Sequence, residues 1–115
     1  MLEILQKIKS FDLVENYTIR RLINEEAVNY IKIEVSLKNG TTLFIKNFVS
    51  TTRHKYAYHW QNKAGKLIRR WDNAPHGRKK ARIKDHCHVD TKVIPVKPIT
   101  IDGVLKEIRE YERLK

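Results

Sequence analysis

All five histidines, the single cysteine and both tryptophans of this chain fall between His54 and His88. His59, His76, His86 and His88 stand there among Arg70, Arg78, Lys79, Lys80 and Arg82. That inventory suits cleavage of RNA without a metal. The reaction needs a base for the 2′-hydroxyl proton, an acid for the leaving oxygen, and cations over the phosphorane-like charge. Histidine can take either acid–base role near neutral pH. Arginine suits the oxyanions because its fork is bidentate and always protonated. His59 and His76 are therefore the expected acid–base pair, with His86 or His88 as a substitute for either. Arg70 is expected to hold the scissile phosphate, and Asp72 to orient a histidine or hold Arg70. Arg69, Arg78, Lys79, Lys80, Arg82 and Lys84 are expected to contact the nucleic acid, the run from 78 to 84 guiding the RNA backbone. A single histidine is more often a surface or satisfied core residue. Four within thirty residues, all in the most basic segment, favour a site.

A metal centre is the rival chemistry. His86 and His88 share one side of a strand in His86-Cys87-His88, and His76 or Asp85 could complete a three-ligand set. No second Cys or His pair at finger spacing accompanies them, which argues against a closed structural zinc site. Cys87 has histidine neighbours and nearby cations that would lower its pKa, as a nucleophile requires. A buried or incidental thiol is the plainer reading.

Charge identifies the class of partner. The chain carries a net +11, with 24 Lys and Arg against 13 Asp and Glu. Residues 1–37 hold five basic and six acidic side chains, and residues 98–115 hold four of each. Residues 38–97 hold fifteen basic and three acidic, so the whole excess lies in the middle. Such a concentration repels itself unless a polyanion partners it, which points to nucleic acid. A solubility device or a network of ion pairs is the alternative, and the shortage of acidic partners in this segment weighs against pairing. No window approaches the roughly 18 apolar residues of a membrane span. The start MLEILQKIKS is amphipathic and unlike a signal peptide. One cysteine fits a reducing cytoplasm.

The elements that must position these residues can be read from periodicity. At 115 residues the chain is expected to be one domain. Leu2, Ile4, Leu5, Ile8 and Phe11 predict a short amphipathic helix. Residues 16–23 suit a strand, with a turn at Asn24-Glu25-Glu26. Ile31, Ile33, Val35 and Leu37 alternate with polar residues, the period of a half-buried antiparallel strand. Asn39-Gly40 then marks a hairpin, and residues 41–49 return as its partner. His54–Gln61 and Lys66–Asp72 form the next hairpin around a four-residue loop, Asn62 to Gly65. Residues 76–84 read as an exposed loop and 85–96 as a short extended piece. Thr100 or Asp102 caps a closing helix whose face is Val104, Leu105, Ile108, Tyr111 and Leu114. The fold class expected is α+β: an antiparallel β-meander of about five strands with an N-terminal and a C-terminal helix.

In the 54–72 hairpin, a four-residue loop pairs His59 with Ile68 and Ala57 with Arg70. Tyr56, Tyr58, Trp60, Leu67, Arg69 and Trp71 then share one face. His59, Ile68, Arg70 and Asp72 share the other, with Ala57. A change of loop type shifts this register, but parity within each strand survives. The aromatic face is expected to receive the helices. Its alternative role is to stack unpaired bases.

The run Tyr58-His59-Trp60-Gln61, the turn at Gly65, the block Leu67 to His76 containing RWDNAPH, and the H-x-H-Val group at His86 to Val89 together resemble the TumE family. Its members are small prokaryotic toxins of toxin–antitoxin pairs. Length and closing helix fit as well, so the resemblance covers most of the chain. It implies a cytoplasmic, growth-inhibiting toxin masked by a helix-turn-helix antitoxin, with ribonuclease action suggested by the small, basic, histidine-bearing members. Carried over residue by residue, the implied site is His59, Arg70, Asp72, Asn73, His76, His86 and His88. Two departures matter. Gly77 stands where the family often has a second histidine, and Ile83-Lys84-Asp85 replaces a more histidine-rich, proline-containing approach. Both leave fewer acid–base candidates and weaken the case for a metal.

The expectation is thus a single toxin-like domain over residues 1–115 that acts on RNA as a metal-independent ribonuclease. No cofactor is expected. The expected partners are RNA and the antitoxin, with a homodimer admitted and no membrane. Two alternatives stay open: a non-catalytic nucleic-acid or ribosome-binding inhibitor, and a metal-dependent nuclease using His86 and His88.

Overall fold

A computed structural model describes residues 2–74 and 85–114, with Leu2 described in its backbone alone. His76, Arg78, Lys79, Lys80, Arg82 and Lys84 lie outside the described residues. The element order is α1 (Leu2–Ser10), β1 (Val14–Asn24), β2 (Val28–Leu37), β3 (Thr42–Ser50), β4 (His54–Gln61), β5 (Leu67–Asp72), β6 (His86–Val89), β7 (Lys92–Pro95) and α2 (Ile101–Arg113). The strands form one antiparallel sheet in chain order, β1 to β7. The α+β class and the terminal helices agree with the sequence reading, and the described residues hold seven strands rather than about five.

The extra pair comes from residues 85–96, which fold as a hairpin and not as one extended piece. Val89 pairs with Lys92, and Asp90 turns the chain at φ 54°. Aspartate tolerates this left-handed conformation, so the turn carries no glycine to announce it. The β2–β3 turn does carry one. Gly40 sits at φ 86°, and the Leu37 amide donates to the Thr41 carbonyl at 3.0 Å across Lys38-Asn39-Gly40.

Strict alternation gives the sheet one apolar face. Ile31, Ile33 and Val35 on β2, Leu43 and Ile45 on β3, Tyr56, Tyr58 and Trp60 on β4, Trp71 on β5 and Cys87 on β6 are all buried there. Ile4 and Ile8 of α1 and Ile101, Val104, Leu105 and Ile108 of α2 cover that face. Each such side chain contributes roughly 1.5–3 kcal/mol by leaving water. The expected aromatic face is therefore core, and its tyrosines and tryptophans are not stacking platforms. A polar chain pins α2 to the β2–β3 turn: Trp60 Nε1 donates to Thr41 Oγ1 at 2.9 Å, Thr41 Oγ1 to Asn39 Oδ1 at 2.6 Å, and Asn39 Nδ2 to Glu112 Oε2 at 2.9 Å. Lys7–Asp102 (3.3 Å) links the two helices, and Arg109 pairs with Asp12 just beyond α1, holding that carboxyl below the usual carboxylate range.

Both helices lie on one side. Among the described residues no helix covers the opposite face of the sheet, and none is long and apolar enough to cross a membrane. The outer edge, β1, is broken by two register shifts and carries Arg20 and Arg21, features that discourage edge-to-edge pairing.

Candidate active site

The open face is built from the residues that alternate with the core. On β4 to β6 these are Ala57, His59, Arg70, Asp72, His86 and His88, and strand pairing sets them in two rows. His59 lies opposite Arg70, and Arg70 opposite His88. Ala57 lies opposite Asp72, and Asp72 opposite His86. Five of the six expected catalytic residues thus adjoin in two cross-strand rows, and the sixth, His76, lies outside the described residues.

The local register differs from the sequence expectation, and the difference explains the pairing. The loop has three residues: Asn62 donates its amide to the Lys66 carbonyl at 2.8 Å, and Asn62 Oδ1 accepts from Ala64 and Lys66. Gly65 supplies the positive φ of 84° that this loop requires. Compared with a four-residue loop, this displaces the ladder by one. A bulge between Trp60 and Gln61 in the pairing displaces it by one more. The two offsets restore parity, so His59, Arg70 and Asp72 remain on one face while His59 meets Arg70 instead of Ile68. Ile68, the residue taken up by the bulge, packs against the core and leaves the polar set.

Asp72 is the hub. Its side chain is 7% exposed and accepts from several groups at once. Oδ1 takes His86 Nε2 at 2.9 Å and the Ala74 amide at 3.1 Å. Oδ2 takes Arg70 Nε at 3.0 Å, and His88 Nε2 stands 3.6 Å from it. The rings of His86 and His88 meet edge to face with centroids 4.7 Å apart. His86 is 1% exposed and His88 24%, so only His88 of this pair opens to solvent.

His59 completes the chain of contacts. Arg70 Nη1 lies 3.5 Å from His59 Nδ1, and His59 Nε2 lies 3.0 Å from Gln61 Oε1. A guanidinium can only donate, so Nδ1 is the accepting nitrogen and Nε2–H is given to the glutamine oxygen. Asn73 holds the end of this assembly: its Oδ1 accepts from the Tyr56 amide at 3.0 Å and its Nδ2 donates to the His54 carbonyl at 2.8 Å. It positions β4 against β5.

Other candidates fall elsewhere. Arg69 stands on the helix side, where its Nη1 pairs with Glu107 at 2.8 Å and its guanidinium lies 5.9 Å from the Trp71 ring centre. Its cation is taken up away from the open face. Asp85 accepts from the Tyr56 hydroxyl at 2.7 Å, so it is Asp72, not Asp85, that joins the H-x-H pair. Cys87 is buried on the core side, and burial pushes its thiol up despite the Arg69 charge. That is the reverse of an activated nucleophile.

Asp72, His86 and His88 each offer one ligand atom, and these lie within 4.8 Å of one another. Two imidazoles and a carboxylate are ligands of the kind a divalent transition ion takes, so the donor set fits such an ion in type.

Sequence reasoning did not single out three side chains on this face. Tyr30 on β2 and Phe44 and Phe48 on β3 alternate with core residues, and each is only partly buried. Phe44 lies opposite His59 and meets its ring at 5.9 Å. The parity of these two strands was the available signal.

A family model described as Toxin TumE matches residues 2–113 of the chain. No curated protein and no solved structure matches it.

Proposed function

The chain belongs to the TumE toxin family, the toxins of toxin–antitoxin systems, and from that premise we propose that it cleaves RNA without a metal ion. The observation that carries this reading is the cross-strand row His59–Arg70–His88. It sets two imidazoles on either side of one guanidinium, about 10 Å apart at their Cα atoms by the strand spacing. A phosphate held by the outward edge of Arg70 has a histidine on each flank.

The chemistry balances with these groups alone. Arg70 turns its Nη1 from His59 to the phosphate, and the Nδ1 lone pair so released takes the proton of the 2′-hydroxyl as that oxygen attacks phosphorus. Arg70 holds the charge of the five-coordinate phosphorane. The bond from phosphorus to the 5′-oxygen breaks, and His88 gives that oxygen a proton. The products are a 2′,3′-cyclic phosphate and a 5′-hydroxyl. Asp72 orients His88 and Arg70 together, and buried His86 fixes Asp72, so both act as positioning residues. His88 thus takes the acid–base part first expected of His76, and the basic run 78–84 keeps its part of guiding the RNA backbone. The setting is cytoplasmic, and the antitoxin partner is a helix-turn-helix protein that masks the open face.

A second reading has its own observation. The Asp72–His86–His88 donor set could hold a divalent ion and make the chain a metal-dependent nuclease. Product ends separate the two. Purified protein incubated with RNA in EDTA gives 2′,3′-cyclic phosphate ends on the first reading. On the second it is silent until an ion is restored. Intact RNA under both conditions, with toxicity retained, would mean inhibition by occupancy.

A further inference from the structure

The open face carries two grooves that the acid–base row does not by itself explain. One, of about 390 Å³, is walled by Tyr30, Phe48 and Lys55 and floored by Ala57. The other, of about 300 Å³, is walled by Phe44 and His59. Lys46 and Arg70 line both, so the two grooves meet over that pair of cations.

The register explains the arrangement. Tyr30, Phe48 and Lys55 form one cross-strand row, and Lys32, Lys46, Ala57 and Asp72 the next. Glu34, Phe44, His59, Arg70 and His88 form the third. The depression lies at Ala57, the smallest side chain of the middle row. Tyr30 and Phe48 stand beside it with ring centres 6.5 Å apart. The acid of the third row, Glu34, is already paired with Arg20 at 3.2 Å. An aromatic surface, a shared pair of cations and a second aromatic surface thus follow one another along β3. Phe44 and Phe48 are four residues apart, roughly 13 Å.

We propose that this face binds single-stranded RNA as a splayed dinucleotide step, one base against Tyr30 and Phe48, its neighbour against Phe44 and His59, and the linking phosphate over Lys46 and Arg70. The proposal rests on the RNA reading above and adds the form of the substrate. Stacking on a ring needs an exposed base face, which a duplex hides inside its stack. Every base has such a face, so these subsites tolerate sequence while rejecting double strands. The spacing of the two rings suits bases turned away from each other, which also opens the phosphate between them to Arg70. Lys55 beside the first groove supplies a contact for the next phosphate.

The test uses the full chain carrying His88→Ala, so that RNA survives the measurement. Anisotropy is read with a fluorescent single-stranded 12-mer and with its duplex at one fixed salt concentration. Phe48→Ala is expected to weaken single-strand binding about 10-fold, within the range that one stacked base commands. Ala57→Leu, which fills the groove without removing an aromatic, should weaken it comparably. Lys106→Ala on the helix side should leave it unchanged, and the duplex should bind more weakly than the single strand throughout. Single-strand binding unaltered by both Phe48→Ala and Ala57→Leu, with melting temperatures kept, overturns the subsites and leaves the RNA reading standing. Equal binding of the duplex does the same. No binding of either RNA by the His88→Ala parent overturns both.

Discussion

Arg70 reaches His59 across the β4–β5 ladder while its Nε stays on Asp72, 3.0 Å from Oδ2. One guanidinium thus joins a buried anion to a partly exposed imidazole. The anchored edge fixes the fork, and the side chain lines both grooves of the open face. Pre-organisation of this kind lets a cation stabilise developing charge with little reorganisation.

Removing the hub should act on stability and chemistry together. Asp72→Ala leaves Arg70 and buried His86 without their anion. A lost partner in a buried ionic cluster costs about 3–5 kcal/mol. The low end is expected here, because the Arg70 side chain is 37% exposed and water screens it. Thermal denaturation should show a clearly lowered midpoint, accompanied by lost cleavage. His59→Ala should separate the two effects, losing cleavage with stability kept within about 1 kcal/mol.

The link from sheet to closing helix can be cut without touching the open face. Thr41→Val keeps the shape of the side chain but removes the acceptor for the Trp60 indole, which is 1% exposed. A buried donor left unpaired costs about 1–3 kcal/mol. The urea midpoint should fall accordingly, while RNA cleavage well below that midpoint stays at the wild-type rate.

Alkaline pH should unfold the protein through its core phenols. Burial pushes the Tyr58 hydroxyl up to about 12. Burial first, and then the hydrogen bond to Asp85, raises Tyr56 further. The folded state therefore holds these protons more tightly than the unfolded chain, whose phenols titrate near 10. Their contribution is complete below pH 10 and is lost as pH rises towards 12 and beyond. Tyrosinate absorbance from this pair should appear together with loss of the circular dichroism of the sheet. Two core phenolates forming at pH 10 in an intact sheet would contradict this. Cys87, raised by the same burial, should resist alkylation in the native protein and react readily in urea.

Much of this was legible in the residues. The helices follow from their apolar stripes, and β2 and β3 from alternation and Asn39-Gly40. The parity of β4 and β5 puts His59, Arg70 and Asp72 on one face. Their partners were not legible, because they depend on a three-residue loop and a bulge at Ile68 whose offsets cancel. Neither leaves a local signal beyond Gly65. The β6–β7 hairpin was missed because Asp90 makes its turn without glycine. The convergence of Asp72 with His86 and His88 joins segments separated by residues 73–85 in sequence, and only strand pairing reveals it. Tyr30, Phe44 and Phe48 read as ordinary strand residues until the helices are seen to cover the other face.

On the reading proposed, His59 works as base and His88 as acid on either side of Arg70. The most direct measurement is the rate of RNA cleavage in EDTA by the wild type, His59→Ala and His88→Ala. The wild type should cleave without any ion, and each substitution should slow it about 10²–10⁴-fold, the range of a lost general acid or base. Wild-type cleavage that disappears in EDTA and returns with a divalent ion, or a wild-type rate in His88→Ala, would contradict that reading.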